Sequence, residues 1–445
     1  MNLVERHIIN KGSEFYKEAD RVSLLSKNLY NFANYSIRQE FINTSKEKEE
    51  GLREFANYKN YYEMRKELAG QIDYVALPQK VANHTLRLLD KSWKSFFKSI
   101  KEWNKFPDKF LGKPGLPNYL DVEIGRYIVS YEKGAISAKE LKKGFIKLSG
   151  TDISVLFINC DKKLISARIV PTKNNEYVLE IIYKCPEVAL KTEGITAGID
   201  IGVNNLMAIV FAEEGVAPAL VNGRPLKSIN QYYNKQKAMF QKKLDKAQSK
   251  KLKELEKQQT AEYQKIKGQP NVKKPKKLTQ STSNAIKKLT ANRNHKIEDY
   301  MHKATAATIV ACEKNNVKTI IVGKNKNWKQ KSKMSKKTNQ SFVAIPFARM
   351  IEMLIYKARL VGIKVIAIEE SYTSKCSFFD LEELCQHNNY LGKRTSRGCF
   401  KTAAGNKINA DINGAYNTIR KVAPDIFKQG VEGFAVNPLN LIIHK

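Results

Sequence analysis

Hydrophobic and polar positions change rhythm several times along the chain, and each change marks an element. Residues 2 to 10, NLVERHIIN, alternate and predict a strand. From about 13 to 108 the period becomes helical. Leu24, Leu25, Leu29 and Phe32 recur at three- and four-residue steps, and Leu86, Leu88, Leu89 and Trp93 follow. The segment FPDKFLGKPGLPNYLD, rich in proline and glycine, ends that region. Between 125 and 185, short apolar runs such as GFIKLSG, ISVLFIN, SARIVP and YVLEIIYKC are separated by Gly, Asn and Lys clusters. They predict a small β domain, which the first strand would join.

After Thr192 the rhythm changes again. GITAGIDIGVNNLMAIVF reads as two strands joined by a tight Val-Asn-Asn turn. A Lys/Gln/Glu-rich helix over 230–265 and a second helix over 278–315 follow. VKTIIVG is a strand, 345–361 a helix, GIKVIAIEE a strand, and a last helix starts near Ala410. The tail beyond Phe427 shows no pattern. This order is the one expected of an RNase H-like α/β domain, in which mixed strands with helices on both faces form one core. The fold class is therefore multidomain α+β.

Charge narrows the function. The 78 Lys+Arg against 44 Asp+Glu leave a formal +34. A compact body with that charge repels itself unless a polyanion accompanies it, so nucleic acid is the expected partner. Six scattered cysteines do not make a disulfide framework and fit a reducing compartment. The N-terminal residues lack the apolar core of a signal peptide. No apolar run approaches the roughly 18 residues needed to span a bilayer. A cytoplasmic protein with no membrane partner is expected.

Two aspartates are candidates for chemistry. Asp200 interrupts an apolar strand between Ile199 and Ile201, where a charge costs several kcal/mol unless a metal or partner compensates. The plainer reading, an aspartate capping a turn before Gly202, is about as good on composition alone. Asp411, in NADINGAYNTIRKV, falls on one helical stripe with Ala415, Ile419 and Val422 and so points toward the sheet. A helix N-cap, filled by Asn409 or Asp411, is the alternative.

The segments GIDIGVNNLMAIV, NRNHKIEDYMHKAT, VGKNKNWKQ, IPFARMIEMLIYKARLVGIKV, EESYTSKCS and INADINGAYNTIRK, in order over about 194–423, resemble TnpB proteins of insertion sequences. These are relatives of type V CRISPR effectors. The resemblance implies a β-barrel wedge domain over 1–12 and 115–190 with a helical recognition domain, 13–114, inserted in it. It further implies a RuvC-like nuclease domain over 191–370 and 404–425, interrupted at 371–403 by a zinc-ribbon or target-strand loading insertion, and a tail over 426–445. The implied activity is metal-dependent, RNA-guided DNA cleavage at a short target-adjacent motif. The implied partners are a guide RNA derived from the transposon end and double-stranded target DNA. A bacterial, nucleoid-associated protein is expected, with a monomer favoured.

The resemblance makes Asp200 the first RuvC carboxylate and Asp411 the third. Most relatives carry the second, a glutamate, where this chain has Ile321-Val322-Gly323-Lys324. The strand ending VIAIEESY should lie parallel beside VKTIIVG, with neighbouring strands about 4.8 Å apart. Glu370 could therefore reach the site while Gly323 leaves room. Glu369 faces the other side. Two glutamates solvated at a strand end are the alternative. With Glu370 in place, Asp200, Glu370 and Asp411 would bind two Mg²⁺ ions. A nuclease-dead, RNA-guided repressor is the rival reading. A transposase is a further one, opposed by the aspartate, rather than glutamate, on the last helix.

Relatives usually carry two CxxC pairs in the insertion, and here each pair has lost its second cysteine, at Cys376 and Cys399. Cys385 and His387 could complete a Cys3His set, but C-x-H is an unusual zinc spacing, and the reading goes against zinc. Lys324, Lys326 and Lys329 around Trp328 suit a single strand. Arg293 and Lys296 match a family helix near the active centre. Tyr30, Tyr35 and Arg38 interleave aromatics with charge where the family holds the guide-target duplex.

Overall fold

The N-terminal alternation becomes strand β1 (Asn2–Ile9), exposed and covered residues following one another along it. The computed structural model describes residues 1–52, 57–258, 276–324, 336–396 and 398–443. Side chains are described throughout these except at 247–248, 251–258, 276–282 and 336–338. The chain forms two compact units, Met1–Pro186 and Glu187–Lys445.

In the first unit β1 pairs antiparallel with β6 (Tyr177–Lys184), as the expectation that the first strand joins the β region requires. With β5 (Lys163–Pro171) and β2 (Val129–Glu132) it makes a four-stranded sheet in the order β1-β6-β5-β2. β3 (Phe145–Lys147) and β4 (Ser154–Leu156) pair separately. Among the described residues this sheet stays open, so the expected closed barrel is corrected to an antiparallel sheet covered by helices. The helices Tyr16–Glu49 and Gln79–Lys105 share one core with it. That core runs from Leu29 and Ile37 through Leu86, Leu89 and Trp93 to Tyr131 and Ile181. The buried face of the first helix differs from the expected one: Phe32 is 48% exposed, while Ala19, Val22, Ser26, Leu29 and Ala33 are buried. Small residues let the helix approach closely, and their periodicity is masked by larger neighbours.

The second unit is built on a mixed six-stranded sheet in the order β11-β10-β7-β8-β9-β15. β7 (Ile195–Ile201) and β8 (Asn205–Phe211) are the expected hairpin, and β9 (Ala219–Asn222) extends it. β10 (Val317–Gly323) lies parallel to β7 and to β11 (Lys364–Ile368). The patternless tail supplies β15 (Leu439–Leu441), parallel to β9. Ala197, Ile199, Ile320 and Val322 pack on one face against the helices Lys276–Lys314 and Phe347–Leu360. On the other face Ile321 packs with Ile412, Ala415 and Ile419 of the helix Ala410–Val422. That helix comes so close to β7 that a Cβ at Gly198 would lie 2.4 Å from the carbonyl oxygen of Ala415. The insertion forms a small sheet, β12 (Lys393–Ser396), β13 (Cys399–Lys401) and β14 (Lys407–Asn409).

Candidate active site

Alternation along β7 sends Ile199 and Ile201 into one core and leaves Gly198 and Asp200 facing the helix Ala410–Val422. A Cβ at Gly414 of that helix would sit 3.3 Å from Asp200 Oδ2, which puts the carboxylate against the helix's first turns. Asn409, not Asp411, caps the helix, its side chain accepting the backbone N–H groups of Asp411 and Ile412. Asp411 is thereby free to face the cleft. The stripe it begins runs through buried Ala415 and Ile419 but ends there, since Val422 is 39% exposed.

Glu370 lies two residues beyond β11, whose Ile368 pairs with Gly323. A Cβ at Gly323 would fall 1.7 Å from Glu370 Oε1 and 2.2 Å from its Cγ. The glutamate side chain therefore fills the volume that any larger residue at 323 would occupy. Glu369 is exposed.

The electrostatics match this crowding. Asp200 is held well above the ordinary carboxylate range, first by burial, then by the charges of Glu370 and Asp411, with Arg394 opposing them. Burial pushes Glu370 up to about 7. Asp411 is bound on both oxygens. Asn205 Nδ2 donates to Oδ2 at 2.8 Å, and Arg394, on β12, reaches Oδ1 at 3.2 Å. Asp200, Asn205, Arg394 and Asp411 line one cleft of about 1000 Å³, together with Tyr300 and Asn440.

Crowded carboxylates that burial alone would neutralise are the donor chemistry of a hard divalent cation. Asp200 and Glu370 fit such an ion. Asp411 would join them only by giving up Arg394. Among the described residues, no group of three or more His, Cys, Asp or Glu side chains is already arranged to hold a metal.

The insertion's candidates form a chain rather than a four-ligand group. Cys376 is buried and its thiol donates to the Cys385 carbonyl at 3.7 Å; Cys385 Sγ lies 3.4 Å from His387 Nε2, and that nitrogen also meets the Glu383 carbonyl at 2.8 Å. Cys399 is partly buried on β13.

The candidate nucleic-acid contacts divide. Tyr30 is corrected to a core residue: it is 6% exposed, its ring centroid 4.5 Å from that of Tyr127. Tyr35 is 56% exposed. Arg38 donates to the Pro117 carbonyl and lies over the Tyr119 ring. Arg293 is used between elements, its Nε donating to Asn230 at 2.7 Å and its terminal nitrogen to the Ala344 carbonyl. Lys296 and Lys324 are exposed. Lys326, Trp328 and Lys329 lie outside the described residues.

Two cleft residues escaped the sequence reading. Asn205 was visible in the Val-Asn-Asn turn, but as a turn residue. Arg394 carries no local signal.

These features define an α+β protein of two units whose second unit brings Asp200 and Asp411 to one cleft, with Glu370 packed over Gly323 and close enough for its charge to act on Asp200. Residues 180–329 match the family model OrfB_IS605, described as a probable transposase, and residues 347–418 match the Cas12f1-like TNB domain. The TnpB-like protein ORF457 of Acidianus two-tailed virus is 23% identical over 431 residues, covering 90% of this chain and 82% of the relative. The chain is thus similar to TnpB proteins, over the residues the OrfB_IS605 model matches and along most of the length of the TnpB-like relative. Similar solved structures include the Cas12f1-sgRNA-target DNA complex (15% identity, 94% of this chain and 98% of that one, TM-score 0.35). Another is CasPhi-2 (Cas12j) bound to crRNA and phosphorothioate-DNA (10%, 95% and 91%, TM-score 0.47).

Proposed function

We propose that the protein is an RNA-guided DNA endonuclease with its cutting site in the second unit, on an RNase H-like (RuvC) sheet. The observation that carries this reading is Glu370 lying over Gly323 beside Asp200, a relocated carboxylate in the space a glutamate at 323 would have used. Asp200, Glu370 and Asp411 would hold Mg²⁺. Two bound ions would supply the charge that activates a water and stabilises the leaving oxygen of a phosphodiester.

This chain's own residues do the rest. Asn205 orients Asp411 through its Oδ2. Arg394, 48% exposed at its side chain, would leave Asp411 for the scissile phosphate and so couple substrate arrival to release of the third carboxylate. The formal +34 charge would be matched by a transposon-end guide RNA and target DNA, with Lys296, Lys324, Tyr35 and Arg38 as backbone contacts. Base pairing by the guide would supply sequence choice, and the protein would read a short adjacent motif.

Purified protein with its copurifying RNA, a plasmid carrying the matching target and Mg²⁺ tests the reading. Cutting is expected from the unsubstituted protein. Glu370→Ala should cut at least roughly 100-fold more slowly, beyond what loss of an outer-shell partner costs. Normal cutting by Glu370→Ala overturns the site.

The Arg394–Asp411 pair also favours a second reading, a repressor that binds without cutting. Target binding with no cleavage by the unsubstituted protein would establish it.

A further inference from the structure

Glu370 has no strand of its own. β11 ends at Ile368, whose carbonyl accepts the Lys324 N–H at 2.7 Å, the last ladder bond in that direction among the described residues. The chain then turns sharply. Tyr372 takes a φ of 67°, a left-handed conformation that costs a side-chain-bearing residue. Something beyond the sheet must hold this segment if the carboxylate is to stay over Gly323.

The helix that carries Asp411 supplies three such holds, at positions four residues apart and so on one side of it. Asn413, fully buried, accepts the Phe378 N–H and donates to the Cys376 carbonyl, both at 2.9 Å. Asn417, also fully buried, donates to the Thr373 carbonyl at 3.0 Å and the Cys376 carbonyl at 2.7 Å. Lys421 Nζ reaches the Glu369 carbonyl at 2.9 Å and the Ser371 carbonyl at 3.3 Å. Thr373 completes the link, its hydroxyl donating to the Glu370 carbonyl at 3.0 Å. Two amides buried in an apolar layer are costly unless their bonds are made. Both Asn413 groups and the Asn417 amide nitrogen bond this one segment, while Asn417 Oδ1 is buried without a partner.

We propose that Asn413, Asn417 and Lys421 are positioning residues. They form a polar clamp that fastens the 369–378 backbone to the Asp411 helix and thereby sets Glu370 against Asp200. The inference rests on the carboxylate reading above, and it assigns a purpose to the two asparagines of NGAYN that the reading leaves unused.

The test uses the full chain with its copurifying RNA and a matching DNA target, with single-turnover cutting followed as Mg²⁺ is titrated. Asn417→Leu should raise the half-activating Mg²⁺ concentration roughly 10- to 100-fold, the range for lost outer-shell support of a metal ligand, with RNA-directed DNA binding unchanged. Hydrogen exchange at residues 371–378 should quicken while β7 stays protected. Lys421→Ala, at an exposed position, should move Mg²⁺ dependence the same way by less, and it carries the test if Asn417→Leu does not fold. Ordinary Mg²⁺ dependence in the folded variants, alongside inactive Glu370→Ala, overturns the clamp and leaves the carboxylate site standing. Normal cutting by Glu370→Ala overturns both, as does target binding without cutting by the unsubstituted protein.

Discussion

The two units bury acidic groups to opposite effect. In the first, Glu180 is 6% exposed, yet Arg6 Nε donates to one of its oxygens at 3.0 Å and Arg168 Nε to the other at 2.6 Å. Asp20 is half-buried. Burial alone would raise its pKa, but hydrogen bonds from Arg126 and the Tyr177 hydroxyl outweigh burial and hold it below the usual range. In the second unit, burial raises both Asp200 and Glu370, and at Asp200 the negative charges of Glu370 and Asp411 add to it against the opposing Arg394. The first arrangement is what stability selects. The second is unfavourable while both carboxylates are charged unless a proton or a cation compensates them, which is why it reads as a site.

The largest expected effect attacks the space on which the second arrangement depends. Gly323→Ala should slow cutting about as much as Glu370→Ala, at least roughly 100-fold, because its methyl group overlaps the Glu370 carboxyl. The double variant Gly323→Glu with Glu370→Ala should recover part of the activity by returning the carboxylate to the position most relatives use. A Gly323→Ala protein that cuts normally would show that Glu370 does not need that space.

Stability without divalent ions sharpens the contrast next. A carboxyl whose folded pKa stands near 7 against an ordinary 4.5 binds its proton more tightly when folded. Its contribution is complete below about pH 4.5 and is lost as pH rises through 7. Glu370→Gln should therefore be more stable than the unsubstituted protein at pH 8, by an amount on the order of 3 kcal/mol, and nearly equal to it at pH 4.5. Thermal unfolding of the metal-free protein at both pH values measures this. A Glu370→Gln variant less stable at pH 8 would mean the carboxylate is already compensated.

The smallest effect should carry the opposite sign. Asp20→Asn should destabilise the protein by about 1 kcal/mol at neutral pH, a charged hydrogen bond discounted for solvent because Asp20 is 34% exposed at its side chain. Its folded pKa is depressed, so the stability it adds is present above about 3.8 and disappears as pH falls below that. The deficit of Asp20→Asn should fade in acid, as denaturant titrations near pH 3 and pH 7 would show.

Much of the second unit was legible because its signals are local. The β7–β8 hairpin, β10, the helix before β11 and the helix at Ala410 each announce themselves by period. The placement of the Glu370 side chain over Gly323 followed from strand adjacency, which β10 and β11 obey. The first unit was harder. Tyr30 looked like a surface aromatic among charges but packs on Tyr127, and the helix carrying it buries alanine and serine beside the expected Leu29 while the expected Phe32 is exposed. A periodic stripe of small residues is nearly invisible beside larger ones.

The order of the elements, the basic charge, the two aspartates and the gap at Gly323 that a distant glutamate could fill were all readable from local pattern. Tertiary structure decided that Arg394 and Asn205 would meet Asp411, that the tail would return to β9, and that Asn413 and Asn417 would grip the turn after Glu370. The physical reason is range. Periodicity and turn chemistry act over a few residues, whereas these contacts arise only after the chain has closed long loops, and no local pattern specifies which side chains then come face to face.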